Sequence, residues 1–253
     1  MIVNPHYEQW KKDEAAPFRG WDFSYTKDRV VWEEPPWDYQ ALGRELVRNS
    51  RSVLDIATGG GEQFSTLAPF PPRAVAIEGW RPNVDVARER LVPLGVSVLG
   101  ANDTGPYPFK AGEFDLVLNR HGGMSIKEIA RVLLPGGQFL TQQVDGRNTE
   151  DLQAFFEVQR RWPDHNLERV TAEAAANGLG SKRAENWVGQ VIFFDVGAVV
   201  YLLKNTPWLV EGFSVDTHLK YLEELQRQLD RVGQLVFTAR RFLLWSEKRS
   251  EVR

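Results

Sequence analysis

The sequence predicts an α/β fold: a doubly wound parallel sheet, plus an N-terminal cap and a helical insertion. Three observations carry this. Short apolar runs alternate with segments of helical period from residue 51 to residue 144, the rhythm of strand–helix–strand units. A glycine-rich turn closes the first run in VLDIATGGG (53–61), and Glu78 ends the second run seventeen residues past Gly61. Near the end, an amphipathic stretch over 215–232 is followed by Gly233 and a further apolar run over 234–245.

The elements follow in order. Residues 1–37 mix prolines, aromatics and charges, and read as an irregular segment with a short helix, packed on the main domain through its aromatics. Residues 38–50 read as a helix leading into strand one, 51–57. A short helix over 62–67 is stopped by Pro69, Pro71 and Pro72. Strand two is 73–78. Pro82 suits a helix start, and Val84, Ala87, Leu91 and Leu94 recur at helical spacing up to Gly95. Strands three and four are 96–99 and 113–119. Ile126, Ile129 and Leu133 mark the next helix, closed by Pro135-Gly136-Gly137, and strand five is 138–144. Helices are expected over 149–162, 167–179 and 195–204, with a sixth strand over 182–194. In the helix over 215–232, Leu222, Leu225, Leu229 and Val232 share a face. The expected organisation is a cap over 1–50 and a main domain over 51–253, with a substrate-side insertion at about 146–215.

Composition bounds the function. Of 253 residues 42% are hydrophobic and 26% charged, as in a soluble globular protein. No apolar run suits a membrane span and the N-terminus does not read as a secretory signal, so no membrane partner and a cytoplasmic location are expected. The absence of cysteine removes disulfides, thiol chemistry and thiolate metal sites, and no metal is expected. A net charge of −3 supplies no global basic field for nucleic acid. Five of the nine tryptophans (Trp10, Trp21, Trp32, Trp37, Trp80) precede residue 81.

The glycine turn and the acid at Glu78 together suit a nucleoside, since glycines admit close backbone approach and an acid accepts from ribose hydroxyls. Asn102-Asp103 follows strand three, and LLPGG precedes strand five. With these in order, residues 51–144 resemble a class I S-adenosylmethionine-dependent methyltransferase, and the resemblance implies a doubly wound, mostly parallel seven-stranded sheet with an antiparallel last strand, which the run over 234–245 suits. More loosely, the chain resembles a group of bacterial methyltransferase-like proteins through GWDFS (20–24), WDY (37–39), TGGGE (58–62), NRHGG (119–123), TQQV (141–144) and FFDVGAVVYLLKNTPW (193–208).

The resemblance implies S-adenosyl-L-methionine as cofactor and assigns roles. Asp55 orients the turn near the amino-acid end of the cofactor; the backbone at Ala57, Thr58 and Gly59 faces its methionine portion; Gly61 lets turn and helix pack closely. Glu78 takes the ribose hydroxyls, with Gly79 and Trp80 beside it and Trp80 available to adenine. Asn102 and Asp103 meet the adenine amino group. Asn119 lies near the sulfonium and the acceptor. The family usually has glycine where this chain has Ala57, a substitution that costs energy if the backbone there is left-handed.

On the acceptor side, His121 is the candidate general base and Arg120 either binds an acidic substrate or forms a salt bridge. His6, His165 and His218 read as structural or exposed. Asp145 is a further possible polar contact. The loop NRHGG lacks the N-P-P-Y found where planar nitrogens are methylated. Trp21, Phe23, Trp37, Trp187, Phe194, Tyr201 and Trp208 are the aromatic groups available to an acceptor pocket. A small-molecule acceptor is expected. The alternatives are RNA, a non-catalytic S-adenosylmethionine-binding protein and a nicotinamide-dependent oxidoreductase.

Overall fold

The computed structural model describes residues 4–250. In chain order its elements are α1 (Tyr7–Ala15), β1 (Val30–Trp32), α2 (Tyr39–Arg48), β2 (Ser52–Ile56), α3 (Glu62–Ser65), β3 (Arg73–Glu78), α4 (Arg81–Leu91), β4 (Ser97–Gly100), β5 (Phe114–Arg120), α5 (Ile126–Val132), β6 (Leu133–Val144), α6 (Glu150–Phe155), α7 (Leu167–Ala176), β7 (Leu179–Phe193), α8 (Val196–Asn205), α9 (Leu219–Val232) and β8 (Leu235–Lys248).

All strands join one eight-stranded sheet in the order β1-β7-β8-β6-β5-β2-β3-β4. From β4 to β6 every pairing is parallel. β8 is inserted antiparallel between β6 and β7. The predicted seven strands are therefore present, with β1 added antiparallel on the outer edge of β7. The chain winds outward in both directions from β2 and β5, so the crevice at their carboxyl ends is the topological switch point, where such sheets hold ligands.

Burial explains the strands. Every residue of β2 is buried, and β3 is buried after Arg73, as parallel strands covered on both faces require. Leu54 and Ile56 face a core shared with α5 and α7, whereas Val53 faces one shared with α2 and α4. A third core joins α1, α8 and α9 to β7 and β8. The helix starts are chemically marked: Asp38, Ser125, Asn166 and Asp195 each accept a hydrogen bond from an N–H in the first turn.

The N-terminal segment is fastened to α8. Arg29 donates to Asp195 through Nε (2.9 Å) and Nη2 (2.6 Å), and to Asp13 through Nη1 (3.0 Å). Asp13 is 0% exposed and also accepts from the Tyr25 hydroxyl at 2.8 Å.

Several boundaries differ from the sequence reading. The helix expected over 149–162 ends at Phe155, and Glu157 then takes a left-handed conformation (φ 57°) that a helix cannot continue through. The helix expected to close on Pro135-Gly136-Gly137 ends at Val132, and those residues instead open β6. The helix expected over 215–232 begins at Leu219, and Val232 is 64% exposed. Among the described residues no helix is long and apolar enough to cross a membrane.

Candidate functional site

The carboxyl ends of β2, β3 and β5 and the turn after β4 bring the sequence-predicted residues together. Asp55 is buried in β2, and that burial raises its pKa to about 7. The chain then turns sharply. Ala57, Gly59 and Gly61 all have positive φ, at 57°, 63° and 78°. The left-handed Ala57 is unusual, since a Cβ there costs roughly 1–2 kcal/mol. Its methyl lies where a Cβ on Gly122 would sit. Gly122, in the facing loop after β5, leaves the room that this methyl needs. Gly61 serves packing: a Cβ there would lie 2.7 Å from Leu91 Cγ of α4.

Glu78 ends β3 and is 4% exposed. Gly59 N–H donates to its Oε2 and Trp80 N–H to its Oε1, each at 2.7 Å. The carboxylate therefore clasps the glycine turn to the start of α4, and each oxygen keeps a lone pair for a further donor. Burial raises its pKa despite both bonds. The Trp80 ring beside it is 66% exposed. Gly79 has no room for a side chain, because a Cβ would lie 2.9 Å from Asp103 Oδ2.

Asp103 Oδ1 is sealed from solvent and has no hydrogen-bond partner. Burial, then the Glu78 charge, raises the Asp103 pKa to about 7. Its neighbour Asn102 is exposed, and its Oδ1 accepts from Thr104 N–H (2.9 Å) and hydroxyl (2.8 Å), which makes it a turn cap. Thr58 Oγ1 is a second buried polar atom without a partner. A buried acceptor left unpaired costs about 1–3 kcal/mol. The two orphaned atoms, the positive-φ turn and the free lone pairs of Glu78 fit a ligand with donors at both ends and hydroxyls between, as S-adenosylmethionine has.

The loop after β5 forms the other wall. Asn119 is 0% exposed and its amide is fully used. Nδ2 donates to Ile56 O (3.0 Å) and Gly123 O (3.3 Å), while Oδ1 accepts from the Thr141 hydroxyl (3.2 Å) and from Gln143 Nε2. It braces β2, the NRHGG loop and β6 against one another and has no group left for an acceptor.

His121 is exposed in the crevice, with a left-handed backbone (φ 57°). Trp37 Nε1–H donates to Gln142 Oε1 at 2.7 Å, and an indole N–H can only donate. That fixes the Gln142 amide, whose Nε2 lies 2.9 Å from His121 Nε2 and donates to it. The neutral ring therefore carries its proton on Nδ1. Although the residue is exposed, crowding of its ring by protein atoms, then the charges of Arg120 and Arg241, lower its pKa from the ordinary value.

The remaining candidates separate. Asp145 pairs with Arg147 (2.9 Å). His6 stacks on Trp10, His165 packs against Phe242, and His218 lies beside Phe213. Trp37 and Tyr201 are buried. Trp21 is 46% exposed and lies across the glycine turn: a Cβ on Gly59 would be 2.5 Å from its Cδ1. Its ring continues to Trp208 (centroids 5.8 Å) and from there to Trp162 (6.5 Å).

The sequence reading missed Gln142, Gln143 and Arg241. TQQV was the available signal for the first two, since three consecutive polar residues at the end of a buried strand need partners. Arg241 had no signal, because its place depends on the β8 register.

The fold is that of class I S-adenosylmethionine-dependent methyltransferases, and residues 54–141 match the family model described as "Methyltransferase domain". The chain is 34% identical over 115 residues to a protein-L-isoaspartate O-methyltransferase of Alcanivorax borkumensis, covering 44% of this chain and 48% of that protein. It is 32% identical over 127 residues to the enzyme of the same description from Methylibium petroleiphilum, covering 48% and 45%. The chain thus spans about half the length of the curated relatives it matches. A solved structure of a candidate methyltransferase from Bacillus halodurans aligns with TM-score 0.60 and 18% identity, over 84% of this chain and 99% of that one. A [4+2]-cyclase, SpnF, also aligns, with TM-score 0.51 and 16% identity over 96% and 92%. Likeness at these identities is a likeness of fold.

Proposed function

We propose that the protein transfers a methyl group from S-adenosylmethionine to a small-molecule acceptor bound between the NRHGG loop and the N-terminal segment. The observation that carries this is the pairing of the Glu78 clasp with the orphaned Asp103 Oδ1 across Gly79. In this reading Asp103 accepts from the adenine amino group, Glu78 from the ribose hydroxyls, and Asp55 and the backbone of Ala57–Gly59 hold the amino-acid end. Trp80 covers adenine. When bound, the cofactor supplies an activated methyl on a sulfonium.

The chain's own residues position the acceptor and exclude water. Trp21 shields the glycine turn, and Asn119 keeps the two crevice walls in register. Residues 1–50 serve as the cap, and about 146–215 as the substrate-side insertion. His121 donates through Nδ1–H to the acceptor instead of taking its proton, because Gln142 occupies the Nε2 lone pair. Net charge −3 favours a small molecule over RNA.

Calorimetry with S-adenosylhomocysteine and NAD tests the reading. Binding of the first alone is expected, and Asp103→Asn should weaken it. NAD binding without S-adenosylhomocysteine binding would overturn it.

A further inference from the structure

Two arginines near His121 carry charges that no carboxylate of the described residues pairs with. Arg120 is the last residue of β5 and makes no side-chain hydrogen bond or ion pair among the described residues; its guanidinium lies over the Tyr39 ring at 6.0 Å. Its nitrogens are not among the sealed, unpartnered atoms, so they open to solvent. Arg241 lies in β8, over the Trp32 ring at 5.5 Å, and donates through Nη1 to Asn148 Oδ1 (2.6 Å) and Arg240 O (2.8 Å). It too makes no ion pair with a carboxylate among the described residues.

The register brings them to one face. Arg120 pairs with Gln142 of β6, and Arg241 pairs with Val144, two residues further along. Residues two apart share a face, so both side chains rise on the side of the sheet that carries Gln142. Their strands flank β6, about 10 Å apart, with an offset of about 7 Å along it. Two arginine side chains span that separation. Burial lowers the pKa of both, and the Arg120 charge further lowers that of Arg241, to about 10. The two charges stand close enough to repel. Glu34 is exposed, and its charge reaches both without an ion pair to either. His121 Nδ1–H adds a third donor at the same edge.

Two half-buried cations on one face, neither in an ion pair with a carboxylate among the described residues, favour an anion between them. We propose that Arg120 and Arg241 form a receptor for an oxyanion on the acceptor, a carboxylate or a phosphate monoester, with His121 Nδ1–H as an additional donor. This deepens the proposed function and rests on it, since it names the chemical class bound in the same crevice.

Benzoate, phenyl phosphate and neutral benzamide serve as probes, titrated calorimetrically into the protein with and without saturating S-adenosylhomocysteine. At least one anion should bind, benzamide at least about tenfold more weakly, and the better anion names the oxyanion. Arg120→Gln and Arg241→Gln should each weaken the anion about tenfold or more, as loss of a charged hydrogen bond does. Arg120→Gln should keep the wild-type melting temperature or raise it, which separates lost binding from lost folding. Equal binding of benzamide, no binding of either anion, or variants that bind as wild type would overturn the receptor. Those failures with S-adenosylhomocysteine still bound would leave the methyltransferase reading standing. Failure of S-adenosylhomocysteine to bind would count against that reading instead.

Discussion

Replacing Gly122 with alanine should destabilise the protein through one neighbour, Ala57. The new Cβ would fall on the Ala57 Cβ, while its next contacts, Asn119 Nδ2 at 3.4 Å and Ala57 O at 3.6 Å, are tolerable. Gly122 does not have positive φ, so its backbone accepts alanine and the cost is steric. Overpacking of this kind costs about 1–3 kcal/mol. In a chain of this length each kcal/mol moves the melting temperature by roughly 2–4 °C, so a fall of about 2–12 °C is expected. Ala57→Gly alone relieves a left-handed alanine, worth about 1–2 kcal/mol, against about 0.4–1 kcal/mol of added unfolded-state entropy. It should be neutral to slightly stabilising. In the Ala57→Gly background, Gly122→Ala should cost almost nothing. The assay is a double-mutant cycle by thermal and urea unfolding, with a coupling of about 1–3 kcal/mol expected between the sites. Additive effects would refute the steric coupling of Ala57 and Gly122 across the crevice.

Other expectations follow from the same geometry. Glu78→Ala should weaken S-adenosylhomocysteine at least about tenfold, because it removes both the ribose acceptor and the clasp on Gly59 and Trp80; unchanged calorimetric affinity would exclude the role. Asp103 accepts most strongly when ionised, and burial raises its pKa in the free protein to about 7. Binding should therefore be full above pH 7 and weaken as pH falls through 7, about tenfold from pH 8 to 6 for one such group. Asp103→Asn should flatten that profile, and a profile that stays as steep would assign it elsewhere. Arg29→Ala leaves the buried Asp13 without its cation and should cost about 3 kcal/mol or more, read as a lowered melting temperature. Trp21→Ala uncovers the glycine turn and should speed S-adenosylhomocysteine dissociation in stopped-flow fluorescence; an unchanged rate would remove Trp21 from the cover.

The cofactor half was legible in the sequence for a physical reason. Parallel strands buried on both faces read as bounded apolar runs, so β2 and β3 fall where expected, with Glu78 as the last residue of β3. What depended on tertiary pairing was not legible. β1 is three residues, Val30–Trp32, and becomes a strand only because the edge of β7 offers partners. Ala57 was visible as a departure, but its compensation by Gly122 exists only once two loops meet at the switch point. Asn119 read as a contact to the acceptor, whereas the polar ends of β6 consume its amide. His121 read as a base, and only the Trp37–Gln142 relay reveals which nitrogen holds the proton.

The most direct test of the central claim is one calorimetric comparison of S-adenosylmethionine and S-adenosylhomocysteine on the wild type and on Glu78→Ala. Saturable binding of both to the wild type, lost or at least tenfold weaker in the variant, is the predicted result. A wild-type protein that binds neither, or a variant that binds as tightly, would contradict it.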